Sequence, residues 1–312
     1  MKTSSLGDVI HNLPVVSDLK RVWPDVDVDW VVESGFADIP RLHPGVNRTI
    51  PVAVRRWRKQ FGAGQTWHEI RAFLAQLRAR EYDQIIDTQG LVKSALITRL
   101  ARGSRCGYSR RVAREPLAAL AYQCHFDIAR GTHAVIRNRA LVAAACGYGL
   151  DMPLSYGIEA PADVPAWLPV APFAVLLTAT SRDDKLWDEA NWIQLGHALA
   201  ERGIVAVLPS GNAREQSRAE RLAQAISNAV AAPPSNITTL AAVLGRARLA
   251  IGVDTGLTHL AAALHVPTAA IFVATDPGLT GVYAPGHAFN LGTTGAPPSP
   301  EDVLAQMEPW LS

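Results

Sequence analysis

Apolar runs of strand length alternate with helical patterns along most of this 312-residue chain. In the first half, the run YDQIIDTQG is followed by the helical pattern LVKSALITRLAR. In the second half, FAVLLTAT is followed by DEANWIQLGHALAERG. Such alternation is typical of βαβ units, whose strands run parallel. The sequence therefore predicts an α/β protein built on parallel sheets.

The alternation is interrupted once, at residues 151–172, which are rich in proline and follow neither period. A chain of this length exceeds what one hydrophobic core usually supports. We therefore predict two doubly wound, Rossmann-like domains, residues 1–155 and 156–312, with a ligand cleft between them. The final helical pattern, PEDVLAQMEPWLS, is expected to pack back on the first domain.

The first domain begins at a loop, KTSSLGD, where a doubly wound domain would have a strand. Either a short apolar strand precedes the recorded start, or this domain lacks its central strand. We favour the first interpretation.

Composition narrows the class of protein. Hydrophobic residues make up 48% of the chain and charged residues 19%, which is typical of a globular protein. Membrane-spanning runs, a secretory signal and paired cysteines are not recognisable, so the cytoplasm is the expected compartment. Residues 1–155 hold 22 Lys and Arg against 14 Asp and Glu, whereas the remainder holds 8 against 14. The basic half is expected to meet an anionic partner, although a solvated basic surface is the alternative.

The segment KTSSLGDVIH joins small residues to a helix start, where free backbone N–H groups favour an anion or a polar substrate. Asp8 is a candidate general base, because an aspartate is ionised at neutral pH. The alternative is that Asp8 only caps the helix.

Two segments of the second half have the features of a phosphate site. In TATSRDDKLW, hydroxyls and a lysine follow an apolar strand, a combination suited to a diphosphate, although the segment also fits a plain helix start. In GVDTGLTHLAAAL, a strand, a glycine turn and a helix follow one another, which exposes backbone amides to a phosphate. The alternative for this segment is a capping aspartate and a half-buried histidine. The chain has neither a GxGxxG fingerprint nor a GxxxxGK[ST] loop, which argues against a redox dinucleotide and an ATPase.

Basic clusters mark the first half. RRWRK, at residues 55–59, and Arg114 could pair with carboxylates and phosphates of an acceptor. Lys93, after the strand that ends in DTQG, is expected to face the same site. A nucleic acid that stacks on Trp57 and a solvated basic face are the alternatives.

Seven segments together resemble the ADP-heptose:lipopolysaccharide heptosyltransferases, and in particular the inner-core members that act on Kdo. They are KTSSLGDVIHNLP, DWVVESGFADIP, VAVRRWRK, DTQGLVKSAL, AREPLA, TSRDDKLW and GVDTGLTHL. The resemblance implies a GT-B fold and the transfer of L-glycero-D-manno-heptose from ADP-heptose onto Kdo-lipid A with inversion. It also implies neither a metal nor another cofactor, no nucleic acid partner, and a peripheral location on the cytoplasmic face of the inner membrane. Family members have a short apolar strand before KTSSLGD.

The resemblance also implies a role for each candidate residue. Asp8 would be the base, and Glu215 would contact the ribose. The donor's diphosphate and heptose would be bound by Thr180, Ser181, Lys185, Asp254, Thr255, Gly256 and His259. The acceptor would be bound by Arg55, Arg56, Lys59, Lys93 and Arg114. Addition of a later core heptose and noncatalytic binding of a nucleotide sugar are the alternative functions.

Overall fold

The computed structural model describes residues 1–311, which divide into two compact units, residues 1–157 and residues 158–311. The division falls two residues after the boundary expected from the sequence. All strand pairs within the named sheets are parallel, so the α/β class with parallel sheets is confirmed.

The first unit contains two small sheets, β1 with β2 and β3 with β4 and β5. Its strands are β1 (Asp29–Glu33), β2 (Arg48–Val52), β3 (Glu81–Asp87), β4 (Arg102–Tyr108) and β5 (Cys124–Phe126). Its helices are α1 (Leu6–Ile10), α2 (Leu13–Val22), α3 (Asp38–Arg41), α4 (Val54–Lys59), α5 (Gly64–Leu77), α6 (Val92–Leu100) and α7 (Ala134–Cys146), with a 3₁₀ helix at Pro116–Ala121.

The second unit has one six-stranded sheet in the order β11-β10-β9-β6-β7-β8. The strands are β6 (Phe173–Leu177), β7 (Val205–Leu208), β8 (Ala229–Ala231), β9 (Leu249–Val253), β10 (Thr268–Ile271) and β11 (Ala288–Leu291). The helices are α8 (Glu189–Ala200), α9 (Ala213–Ala225), α10 (Ile237–Leu244), α11 (Gly256–Ala263) and α12 (Pro300–Met307). Every residue of the central strands β6 and β9 is buried, as expected of a parallel sheet covered on both faces.

The sequence interpretation is wrong in two places. The helical pattern DVIHNLPVVSDLKRVWP predicts one helix that ends at Pro24, whereas the structure has two, α1 and α2, because Pro14 cannot donate the backbone hydrogen bond that an uninterrupted helix would make to Ile10. The apolar run PTAAIFVAT predicts the last clear strand of the chain; it does contain β10, but a further strand, β11, follows β10 and pairs with it.

The C-terminal helix α12 packs within the second unit. Its residues Val303 and Met307 are fully buried and belong to the same hydrophobic cluster as Leu195 and Leu199 of α8. The expected packing of this helix on the first domain stays a prediction.

Residues 1–3 lie extended between β1 and β3. The Met1 amino group donates to the Ile86 carbonyl at 2.8 Å, and the Met1 carbonyl accepts from the Thr88 N–H at 3.2 Å. On the other side, the Thr3 carbonyl accepts from the Glu33 N–H at 3.0 Å. These residues therefore bridge the carboxyl ends of β1 and β3. Behind them, between the same two strands, lies a cavity of about 750 Å³, lined in part by Met1, Trp30 and Ile86.

Candidate active site

The first cluster of candidate residues lies at the carboxyl ends of the strands of the first unit. The turn after Thr3 leads into α1, and Asp8 stands in the first turn of that helix. Asp8 Oδ2 accepts hydrogen bonds from the Ser5 N–H at 2.8 Å and from Ser5 Oγ at 3.1 Å. The structure thus places Asp8 in a capping box, as the capping alternative requires. These capping hydrogen bonds use only Oδ2, so the capping role of the half-buried Asp8 does not involve its other carboxylate oxygen, Oδ1.

The loop that carries Asp8 is held by Gln89, which follows β3. Gln89 Oε1 accepts from the Thr3 N–H and Thr3 Oγ, and Gln89 Nε2 donates to the Ser4 carbonyl at 2.8 Å. Gln89 is itself fixed, because its backbone N–H donates to the buried carboxylate of Asp87 at 2.9 Å. Asp87 also accepts from Ser94 Oγ and from the Tyr122 hydroxyl, each at 2.7 Å. A buried network therefore fixes the position of this loop.

Lys93 lies beside the same loop. Its Nζ donates to Ser4 Oγ at 2.9 Å. Burial lowers the pKa of Lys93, and the charges of Arg55 and Arg114 lower it further, whereas Glu33 and Asp8 raise it. The charges of Asp8, Arg55 and Arg114 therefore all act on Lys93, which places these residues close to one another.

Three of the predicted acceptor residues, Arg55, Arg56 and Lys59, lie on α4. The guanidinium of Arg56 makes a two-fold contact with the carboxylate of Glu69, at 3.0 and 2.7 Å, so it is already neutralised. Lys59 is exposed at the end of the same helix.

Glu33 also lies in this cluster, and the sequence interpretation missed it. It ends β1, is 7% exposed, and its Oε1 accepts from the Arg55 N–H at 3.3 Å. Its other oxygen, Oε2, is buried with no hydrogen-bond partner among the described residues. The only sign of Glu33 in the sequence is that a glutamate ends a predicted strand. This pattern occurs at solvent-exposed strand ends as well as at buried sites.

The second cluster lies in the other unit, at the point where the strand order reverses. After β6 the chain adds β7 and β8 on one side, and it returns to place β9 next to β6 on the other side. Open parallel sheets bind ligands at the carboxyl ends of the strands that flank such a switch point. Thr180 follows β6 and Asp254 follows β9, and the Thr180 hydroxyl donates to the Asp254 carbonyl at 3.2 Å.

An ion pair occupies this switch point. Lys185 Nζ lies 2.6 Å from Asp254 Oδ2, and both side chains are largely buried. The Thr275 hydroxyl donates to the same oxygen at 2.9 Å, and His259 Nε2 lies 3.8 Å from Asp254 Oδ1. Burial alone would raise the pKa of Asp254, but contacts with His259, Lys185 and Thr275 hold it well below its usual range. Thr275 was not among the predicted residues, because it follows β10 without any motif.

The remaining donor candidates lie around this pair. Thr255 precedes the first residue of α11, Gly256, and the Thr255 carbonyl accepts from the His259 N–H at 3.4 Å. Ser181 is exposed in the loop after β6. Glu215 is in the first turn of α9, where it accepts from the Gly211 N–H at 2.7 Å. The side chains of Arg214 and Asp183, 3.0 Å apart, connect α9 to that loop.

The structure thus gathers the predicted residues into two clusters, one in each unit, with Lys59 and Ser181 exposed near them. The role of each residue stays a prediction. The described residues hold no group of three or more His, Cys, Asp or Glu side chains arranged to bind a metal. No helix in residues 1–311 has both the length and the hydropathy of a membrane span.

Comparisons with known proteins agree with the resemblance noted in the sequence. The model of the family described as glycosyltransferase family 9 (heptosyltransferase) matches residues 70–304. The chain is 46% identical to lipopolysaccharide heptosyltransferase 1 of Pseudomonas aeruginosa over 289 residues, which cover 91% of this chain and 80% of that protein.

Solved structures show the same relationship. The E. coli heptosyltransferase WaaC with ADP is 41% identical, covers 99% of this chain and 98% of its own, and superposes with a TM-score of 0.91. The same enzyme with ADP-2-deoxy-2-fluoro heptose is 40% identical over the same shares, with a TM-score of 0.88. The resemblance and the GT-B fold expected from the sequence are confirmed. The chain belongs to glycosyltransferase family 9, the heptosyltransferase family.

Proposed function

We propose that this protein transfers L-glycero-D-manno-heptose from ADP-heptose onto Kdo of Kdo-lipid A, with inversion, in the synthesis of the lipopolysaccharide inner core. The observation that carries the proposal is the pair of Lys185 and Asp254 at the switch point of the six-stranded sheet. One site there offers a cation for a diphosphate and a carboxylate for sugar hydroxyls. Similarity to an enzyme solved with ADP and with an ADP-heptose analogue supports this donor.

The donor is proposed to bind along the carboxyl ends of β6, β7 and β9. Lys185 would turn from Asp254 to the diphosphate, which it would share with the hydroxyls of Thr180 and Ser181. The amino end of α11, at Thr255 and Gly256, would add backbone N–H groups to the phosphate oxygens. Asp254, with His259 beside it, would then accept hydrogen bonds from the heptose, and Glu215 would contact the ribose.

The acceptor is proposed to bind in the first unit, where the charges of Arg55, Lys93 and Arg114 would meet the carboxylates and phosphates of Kdo-lipid A. Arg56 and Lys59 would extend this basic surface. Asp8 would take the proton from the acceptor hydroxyl as that oxygen attacks the anomeric carbon of the donor. Because Oδ2 holds the turn, Oδ1 is the oxygen that would receive the proton. A single displacement of this kind inverts the anomeric centre.

The leaving group would be ADP, whose negative charge Lys185 and the α11 amides would stabilise. The proposal therefore calls for neither a metal nor another cofactor. We also propose a peripheral location on the cytoplasmic face of the inner membrane, because the acceptor is a lipid. A nucleic acid partner forms no part of the proposal.

The test is a transfer assay with ADP-heptose and Kdo-lipid A. Asp8→Asn should abolish transfer while ADP affinity, measured by calorimetry, is kept. Lys185→Ala should weaken ADP binding by about ten- to a hundredfold, because a charge-assisted contact to the diphosphate is lost. Lys20→Ala, on α2, is the matched control for loss of one lysine. Full transfer by the Asp8 variant would exclude Asp8 as the base.

A further inference from the structure

The first unit carries an apolar surface made by two short elements, α6 and the 3₁₀ helix Pro116–Ala121. Three residues of α6 are exposed and four positions apart, Val92, Leu96 and Leu100, so they share one face of the helix. Leu117 and Leu120 are three positions apart in the 3₁₀ helix, a spacing that also places them on one face. We call these five residues the leucine surface.

The two elements form one surface because their inner faces pack together. Ala95 of α6 belongs to a small buried cluster with Ala118, Ala119 and Ala121 of the 3₁₀ helix. The two elements also meet at their beginnings, where the Val92 N–H donates to the Glu115 carboxylate at 2.6 Å. Small residues therefore point inward and large apolar residues point outward.

The outward residues are unusually exposed for their size. Leu96, Leu117 and Leu120 are 59%, 64% and 75% exposed. Single exposed leucines are common on protein surfaces, but several on two adjoining elements mark a binding surface. Folding alone does not require such a surface, since the alanines already form the buried contact.

The charge around the leucine surface identifies its partner. Residues 91–123 contain seven Lys and Arg but only one acidic residue, Glu115. Arg99 lies within the α6 face, and Arg114 lies just before the 3₁₀ helix; both are exposed. Apolar side chains surrounded by cations favour an anionic bilayer, where the leucines enter the interface and the cations meet the headgroups.

We propose that the leucine surface docks the protein on an anionic lipid bilayer. This inference rests on the proposed function, because it explains how a lipid-borne acceptor reaches the site. Val92 adjoins Lys93, whose Nζ contacts Ser4 in the loop that carries Asp8. A lipid whose acyl chains stay in the bilayer would thus present its sugar at the amino end of α6.

The test uses vesicles of phosphatidylethanolamine mixed with phosphatidylglycerol, with the full-length protein and its Leu117→Ser/Leu120→Ser variant. Flotation should show a loss of binding of about tenfold or more for the variant, since each leucine contributes an apolar side chain to the interface. Wild-type binding should weaken on phosphatidylcholine vesicles and at high salt. Leu279→Ser, which changes a leucine that is 49% exposed in the other unit, is the matched control and should bind like the wild type.

A second measurement separates this inference from the proposed function. Transfer to a water-soluble, deacylated Kdo acceptor should be unchanged in the double variant, which also shows that the variant is folded. If the wild type fails to use that acceptor, the proposed function fails, and the flotation result still decides the docking surface. Unchanged vesicle binding by the double variant would overturn the inference, as would an equal loss in Leu279→Ser. A change in oligomeric state with unchanged vesicle binding would assign the surface to a second copy of the chain instead.

Discussion

The side-chain oxygen of Gln89, Oε1, accepts two hydrogen bonds from Thr3, one from the Thr3 N–H at 2.7 Å and one from the Thr3 hydroxyl at 2.6 Å. The two residues are 86 positions apart in the chain, and both are buried. The contact ties the end of β3 to the loop that carries Asp8. The position of a candidate base therefore depends on an amide side chain that does not contact it.

Replacement of Gln89 by alanine should lower the rate of heptose transfer by about tenfold or more, because a small displacement of a catalytic group is costly. ADP affinity should not change, since the residues proposed to bind the donor lie in the other unit. Steady-state kinetics and calorimetry test the two halves of this expectation. Gln76→Ala, on an exposed face of α5, is the control. Equal kinetics in the Gln89 and Gln76 variants would show that the loop holds its position without the amide.

Thr275→Val should weaken ADP-heptose binding by a factor of about ten to a hundred, the cost of one hydrogen bond to a charged group. The hydroxyl of Thr275 donates to Asp254 at 2.9 Å, and valine keeps the shape of the side chain without the donor. Calorimetric titration with ADP-heptose measures the effect. Thr238→Val, at an exposed position of α10, should bind the donor like the wild type. If both variants bind equally, Thr275 does not orient Asp254.

His43 should make the stability of the first unit depend on pH. Burial, together with the charge of Lys20, lowers the pKa of this histidine to about 4, although a backbone contact opposes the shift. His43 Nδ1 accepts from the Gly45 N–H at 2.9 Å, so the neutral ring is the form that fits. Between these two pKa values, His43 is protonated in the unfolded chain, where its pKa is near 6.5, but neutral in the folded protein. The free energy of unfolding should therefore fall as the pH is lowered from about 6.5 to 4, by on the order of 2–3 kcal/mol for this residue.

Denaturant unfolding at several pH values, compared between the wild type and His43→Asn, isolates this contribution. The variant should lose part of the pH dependence in that window. His68→Asn, which changes an exposed histidine of α5, should retain all of it. Parallel curves for the wild type and the His43 variant would contradict the expectation.

The cavity between β1 and β3 should accept an added strand. An extension of apolar, β-branched residues ahead of Met1, as long as the five-residue β1, would lie between two strands that each have a neighbour on one side only. It should raise the melting temperature by several degrees, because it would fill apolar space and add backbone hydrogen bonds. A Gly-Ser extension of equal length is the control. Equal melting temperatures for the two extensions would show that the space does not take a strand.

The sequence predicted much of this architecture because most of its helical and strand segments are long enough for their hydrophobic periodicity to be recognised. It did not reveal β8 or β11, which have only three and four residues, none of them fully buried, and so lack the apolar run that marks the central strands. The break at Pro14 was hidden because the apolar residues of α1 and α2 continue the same helical spacing across it.

The candidate site was predictable where motifs place polar residues after strands, as for Thr180, Lys185 and Asp254. It was not predictable where a residue contributes through burial alone. Glu33 and Gln89 look like ordinary polar residues in the sequence, and only the approach of distant segments makes them part of a site. Arg56 is the opposite case. The sequence marks it as a free cation for the acceptor, but its charge is neutralised by Glu69, and this pairing depends on how α4 and α5 pack.

In the second unit, the carboxylate of Asp254 would compete with a bound diphosphate for the ammonium group of Lys185. A diphosphate that recruits Lys185 must displace a carboxylate that the fold already supplies, so binding exchanges one ionic contact for another. ADP alone would leave Asp254 without its lysine, whereas a ligand that also carries sugar hydroxyls would compensate that carboxylate. Under the proposed function, recognition of the diphosphate and of the sugar would be coupled through Lys185, and the site would favour the intact nucleotide sugar over its product, ADP.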